Sequence, residues 1–145
     1  TNPSLRCALF QPITETDDEI GNMVETAIYA QWMPRQNTDI HYANWRINAK
    51  KQGEVDIVGL NIAKQKPYWA VEIKWSDRYF EKPGELESLL YFMEKNKLNN
   101  AIVTSITTEG QNELKTLSLT FIPSACYAYI VGENTLKQTR KSYGL

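Results

Sequence analysis

Two short segments of this chain carry acids inside apolar surroundings: Gly53-Glu54-Val55-Asp56-Ile57-Val58 and Val71-Glu72-Ile73-Lys74-Trp75. On a strand, residues two apart share a face. Glu72 and Lys74 then point together, with Val71, Ile73 and Trp75 opposite, while Glu54 and Asp56 share a face opposite Val55 and Ile57. Two adjacent strands of this kind bring Asp56, Glu72 and Lys74 into one pocket. A carboxylate pair beside a cation suits a divalent metal and the hydrolysis of a phosphodiester. Such a metal lowers the pKa of bound water and acts as a Lewis acid, and hard ions such as Mg²⁺ or Mn²⁺ take oxygen ligands. Asp56 and Glu72 fit as metal ligands, with the backbone carbonyl of Ile73 as a third. Lys74 is placed to orient or deprotonate the attacking water, or to neutralise developing charge. Glu25, on a preceding helix, is the candidate to complete the acidic cluster.

The elements that must position these groups follow from periodicity. Pro3 to Phe10 reads as a short helix. Thr16 and Glu19 make a capping-box pattern, and a long helix should run from there to about Met33. Its buried stripe is Ile20, Met23, Val24, Ala27, Ile28 and Gln31, and Pro34 ends it. Ile40 to Ile47 reads as a strand, followed by a basic turn, Asn48 to Gly53. The two acid-bearing strands cover about Gly53 to Ile62 and Tyr68 to Trp75. The short link Lys64-Gln65-Lys66-Pro67 argues for an antiparallel hairpin. A helix from about Glu85 to Lys97 follows Pro83-Gly84, with Leu86, Leu89, Leu90 and Met93 inward. Ala101 to Ile106 and Leu117 to Ile122 read as further strands. Ser124 caps a short last helix through Tyr129, and residues 133–145 read as a polar, basic tail to a domain spanning 1–132. The sum is an α/β domain, a central mixed sheet flanked by helices.

Composition narrows the class without naming a function. The chain has 145 residues, one domain's worth, with 42% hydrophobic and 23% charged residues and a net charge of −1. Nothing global argues for nucleic-acid binding, although metal-holding carboxylates would mask a local basic face. Cys7 and Cys126 have no metal or redox spacing and read as buried, reduced thiols of a cytoplasmic protein. No apolar run reaches the length of a membrane span, so no membrane partner is expected. His41 is the sole histidine, which leaves no His-based metal cage or Ser-His triad. Trp45, Trp69 and Trp75 read as core or sheet-face packing rather than base-stacking platforms.

Asp56, a 15-residue interval and then Glu72-Ile73-Lys74 resemble the bipartite motif of the PD-(D/E)XK nuclease superfamily. The order of elements fits: a helix with an acid, a strand with the aspartate, a strand with Glu-x-Lys, then a helix and another strand. Val55 stands where the family usually has proline. A narrower resemblance runs from Asn2 to about Ser105. Asn2-Pro3-Ser4-Leu5-Arg6, Gly21-Asn22-Met23-Val24-Glu25-Thr26-Ala27-Ile28-Tyr29, Asn44-Trp45-Arg46 and Gly53-Glu54-Val55-Asp56 are similar to the C-terminal, nuclease-like domain of a group of bacterial and archaeal AAA+-type ATPases. The start at Thr1 fits a C-terminal piece of such a protein, and no P-loop occurs in the chain. The resemblance implies a restriction-endonuclease-like fold and Mg²⁺- or Mn²⁺-dependent hydrolysis of DNA. Asp56, Glu72 and Glu25 would act with Lys74, beside an ATPase module outside this chain. Resolvase-like relatives commonly work as dimers, so a homodimer is compatible with it.

Each assignment has a plainer rival. Glu72 and Lys74 could be a surface ion pair, worth little, and Asp56 a solvated strand residue. Glu25 divides evenly between site residue and partner of a nearby cation, and Glu54 reads as structural or supporting. Arg46, Lys50 and Lys51 are candidates to contact phosphate, or form a solvated basic turn. Ser76, just past the Glu-x-Lys, is a further candidate for substrate contact. At the level of the whole chain the alternative is a catalytically silent nuclease-fold module that mediates nucleic-acid or protein binding for an ATPase. A third reading keeps the chemistry and makes the substrate RNA.

Overall fold

A computed structural model describes residues 8, 14, 19–33, 39–46 and 52–143. The expected helix at Pro3 to Phe10, apart from helical Ala8, lies outside them, as do Cys7, Thr16 of the capping pattern, Pro34 and most of the basic turn. Helix α1 (Ile20–Trp32) leads into three strands, β1 (Ile40–Arg46), β2 (Gln52–Asn61) and β3 (Lys66–Glu72). A short helix α2 (Arg78–Glu81), a 3₁₀ turn (Pro83–Glu85) and helix α3 (Glu87–Asn96) then carry the chain to β4 (Asn100–Ser105). The hairpin β5 (Gly110–Leu114) and β6 (Leu117–Pro123) precedes the last helix, α4 (Ser124–Tyr143).

The six strands form one mixed sheet in the order β1-β2-β3-β4-β6-β5. β1, β2 and β3 are an antiparallel meander, as the short Lys64–Pro67 link requires. β4 runs parallel to both β3 and β6, and β5 closes the far edge antiparallel to β6. Parallel neighbours need a crossover, and α2 with α3 supplies it between β3 and β4. Lys97, left-handed at φ 57°, ends α3 one residue past its last turn.

Helices cover both faces of the sheet, so its central strands are buried on both sides. Five consecutive residues of β2, from Val55 to Gly59, are buried, as expected where both faces are covered. On one face Leu86, Leu89, Phe92 and Met93 pack on Val55, Val58, Ala70, Val103, Leu119 and Phe121. On the other, Ile28 and Trp32 of α1 join Tyr127 and Val131 of α4 over Ile57, Val71 and Ile73. Trp45 stacks on Tyr91 and Phe92, and Trp69 on Trp32, with centroids 5.5–5.8 Å apart; both are packing residues. A side chain at Gly59 would collide with the Trp69 indole, and one at Gly53 with that of Trp45. Both indoles therefore lie flat over the backbone of β2.

The structure departs from the sequence reading at six points. β3 ends at Glu72 rather than Trp75. β5 is an additional strand, and α2 an additional helix. α4 does not stop near Tyr129 but continues to Tyr143, so the polar stretch from Glu133 to Tyr143 is helical. The hydroxyl of Thr135, 3% exposed, is shared between the Val131 carbonyl at 2.8 Å and that of Gln31 at 3.1 Å, which links α4 to α1. Cys126 is exposed rather than buried, on the outer face of α4. Finally, Val55 and Ile57 do not share a core. His41 pairs with Val58 and Ala43 with Val55, so Tyr42 alone opposes both Asp56 and Ile57. This bulge breaks the alternation that places Val55 and Ile57 together.

Candidate active site

The bulge falls on the aspartate. Asp56 is 7% exposed, and its Oδ2 accepts the N–H of Ile73 at 2.6 Å. This bond spans the point where β2–β3 pairing stops, and it fixes the carboxylate against the start of the Ile73–Lys74 segment. The Tyr29 hydroxyl, from α1, donates to the Asp56 carbonyl. Glu72, the last residue of β3, is 5% exposed. Its Oε1 meets Lys74 Nζ at 2.8 Å, while Oε2 is buried with no hydrogen-bond partner among the described residues.

Lys74 lies past the end of β3, where its backbone has no strand partner. Thr104 takes that place. Its hydroxyl accepts the Lys74 N–H at 2.8 Å and donates to the Lys74 carbonyl at 3.0 Å. Ser124, at the start of α4, bonds the Ser105 carbonyl at 2.8 Å and reaches the Lys74 carbonyl at 3.4 Å. Sequence reasoning missed Thr104, Ser124, Tyr29 and Tyr42. Their one signal was a set of hydroxyls at the ends of apolar strands and on an otherwise apolar helix stripe.

A cavity of about 480 Å³ opens over this point. Its lining includes Glu25, Glu54, Asp56, Ile73, Lys74, Trp75, Ser76 and Tyr79. Asp56, Ile73, Lys74, Glu25 and Ser76 are thus brought together, with Glu72 joined to them through Lys74. Ser76 is occupied locally, accepting the N–H of Arg78 at 3.3 Å. Arg46 lies elsewhere. It pairs with Gln52 and lines a neighbouring cavity with Tyr42, Asn44, Trp45 and Glu54. Lys50 and Lys51 lie outside the described residues. Glu54 borders both cavities, and its carboxylate accepts the Tyr42 hydroxyl.

The electrostatics are those of crowded, desolvated acids. Burial, then the nearby Asp56 carboxylate, pushes Glu72 up to about 7 against the pull of Lys74. Asp56 is raised by burial despite the Ile73 N–H. Glu25 is raised by burial, then by Asp56 and Glu54, so it shares their field. For Lys74 burial works to lower the pKa, but Glu72 and Asp56 outweigh it and the ammonium is held. Burial, then Asp56, pushes the Tyr29 phenol up to about 12. Mutual repulsion among buried acids, with one oxygen unpartnered, is what a cation would relieve. Asp56 and Glu72 therefore fit a divalent ion as ligands. Among the described residues no three His, Cys, Asp or Glu side chains converge as a ready cage. An ion here would be held by this pair, backbone oxygen and its own water, the habit of Mg²⁺.

The chain matches no family model and no curated protein. Among the described residues, no helix is long and apolar enough to cross a membrane.

Proposed function

We propose that this chain is a metal-dependent nuclease that hydrolyses DNA phosphodiester bonds, on a restriction-endonuclease-like fold with a PD-(D/E)XK-type site. It would serve a protein that also carries an ATPase module outside this chain. The observation that carries the reading is the unpartnered Oε2 of Glu72, buried next to the cavity-lining Asp56 and in a carboxylate whose other oxygen holds the cavity-lining Lys74. The order α1, β2, β3, α3, β4, with Glu25 on α1, Asp56 on β2, Glu72 at the end of β3 and Lys74 two residues past it, supports it.

Asp56 and Glu72 would hold Mg²⁺ or Mn²⁺, which when bound supplies Lewis acidity and an acidified water. Lys74 is poised at the same point, charged and tethered to Glu72. It can orient the attacking water and offset charge building on the phosphate. Glu25, across the cavity on α1, adds a carboxylate that can accept a proton or bind hydration water of the ion. Thr104 and Ser124 hold the Lys74 backbone in place.

Cleavage of supercoiled, linear, branched and single-stranded DNA and of RNA, with Mg²⁺ or Mn²⁺, tests the reading. Metal-dependent cutting that disappears in Asp56→Ala and Lys74→Ala supports it, and the preferred substrate separates DNA from RNA. The absence of a three-carboxylate cage among the described residues favours one second reading, a silent nuclease-fold module that binds nucleic acid or protein for the ATPase. On that reading DNA binding survives Asp56→Ala and no cutting occurs.

A further inference from the structure

The second cavity, about 480 Å³ between β1 and β2, has no part in the hydrolysis described above. Three cross-strand pairs border it: Asn44 with Glu54 and Arg46 with Gln52 on one face of the sheet, and Trp45 with Gly53 on the other. Ser88 of α3 adds a hydroxyl. Its volume is in the range of pockets that take a small planar ligand. On the face shared by Glu54, its chemistry is the Tyr42 ring with the amides of Asn44 and Gln52 and the Arg46 guanidinium. Tyr42 stands at its junction with the acidic cavity, directly across from the Asp56 bulge. The ring is 47% exposed, yet its hydroxyl is anchored on Glu54, which borders both cavities. An exposed aromatic ring fixed in orientation is a stacking surface. Amides such as Asn44 and Gln52 can pair with the donor and acceptor edge of a base.

The placement also sets a spacing. At about 3.3 Å per residue, Glu54 lies about 7 Å along β2 from Asp56, and Gln52 about 13 Å. That is the reach of a nucleotide or two from a phosphate seated over Asp56 and Glu72. A base inside a duplex is stacked and paired and cannot enter such a pocket, so the occupant must be unpaired.

We propose that the β1–β2 cavity holds an unpaired nucleobase of the strand being cut, stacked on Tyr42 and read at its edge by Asn44 and Gln52. This rests on the nuclease reading and adds a substrate class to it: DNA with an unpaired nucleotide beside the scissile phosphate. Stacking on one aromatic side chain contributes about tenfold or more in affinity.

The test is fluorescence anisotropy with three labelled DNAs of the same sequence, in buffer without divalent ion so that none is cut. One is fully paired, one has a single unpaired nucleotide, and one has that nucleotide made abasic. A free nucleoside monophosphate serves as competitor. The expected result is about tenfold tighter binding of the DNA with the unpaired base. That advantage should be lost in Tyr42→Ala, reduced in Asn44→Ala and Gln52→Ala, and retained in part in Tyr42→Phe, which keeps the ring without its anchor on Glu54. These positions are exposed, and circular dichroism of each variant checks the fold. Equal binding of the three DNAs, an advantage untouched by Tyr42→Ala, or no DNA binding at all would overturn the inference. Competition by the mononucleotide at the same affinity as the strand would overturn it too, by making the ligand a free nucleotide. Cleavage of the same DNAs with Mg²⁺ reports separately on the nuclease reading. Cutting without base preference would sink the inference alone, and base preference without cutting would sink the nuclease reading alone.

Discussion

Burying a carboxylate costs free energy unless partners offset it. Glu72 has one oxygen on Lys74 and the other on nothing among the described residues. Its proton is held up to about 7 in the folded chain, against an ordinary 4.5. Between those values the folded state binds more protons than the unfolded one, so stability falls as pH rises through that window. Glu72→Gln removes the charge. We expect it to flatten that pH dependence in the metal-free protein; urea unfolding across the window measures the slope. The same substitution should remove any stabilisation by divalent ion. Asp77 is the opposite case. It accepts the N–H groups of Ile106, Thr107 and Thr108 and the Thr107 hydroxyl, at 2.7–3.0 Å. Slight burial opposes these donors, but they hold the carboxyl down at about 2, below its ordinary 3.8. Here the unfolded chain binds more protons, so the contribution is present above that window and is lost as pH falls through it. Asp77→Ala should erase that acid-side slope and speed amide exchange at Ile106 to Thr108, read by hydrogen exchange.

β2 and β3 were legible because burial on both faces and the Lys64–Pro67 link leave few other solutions. The acids could be located for the same reason. The bulge was not legible, since it appears only when β1 is laid against β2 and Tyr42 has to oppose two residues. β5 was missed because Gly110-Gln111-Asn112-Glu113-Leu114 is polar and pairs on one side only, with β6. Its edge position asks for no apolar stripe. The length of α4 was missed for a related reason. Past Tyr129 its inward contacts are Val131, Gly132 and Thr135 against α1, which look like nothing unless α1 is already in place. Thr104 reads as an ordinary strand residue, yet its hydroxyl replaces a missing rung of the sheet for Lys74. Thr104→Val keeps the shape and leaves the Lys74 N–H and C=O without that partner. The expected loss is about 1–3 kcal/mol in denaturant unfolding, with a fall in any metal-dependent cleavage. Thr104→Ser should restore most of both.

Among the described residues the two cores lie on opposite faces of the sheet, so the site depends on both layers. Glu25 and Tyr29 come from the α1–α4 side, whereas the strands that carry Asp56 and Glu72 are clamped from behind by α3. Phe121, fully buried and edge-on to Phe80 at 5.2 Å, is central to the α3 layer. Phe121→Ala should cost about 3–5 kcal/mol in a denaturant melt, which would place the whole domain near its stability limit. The sequence could disclose the acids, their strands and the sheet class, because these rest on local periodicity. It could not disclose that α4 supports α1, or that a second cavity adjoins the first, because both rest on contacts between distant segments. The proposed chemistry rests on a cation site formed by Asp56 and Glu72. Calorimetric titration of Mn²⁺ into the wild type, Asp56→Ala and Glu72→Gln tests it most directly. One ion bound by the wild type, and binding lost in both variants, is the predicted result. No binding by the wild type, or equal binding by all three proteins, would contradict it.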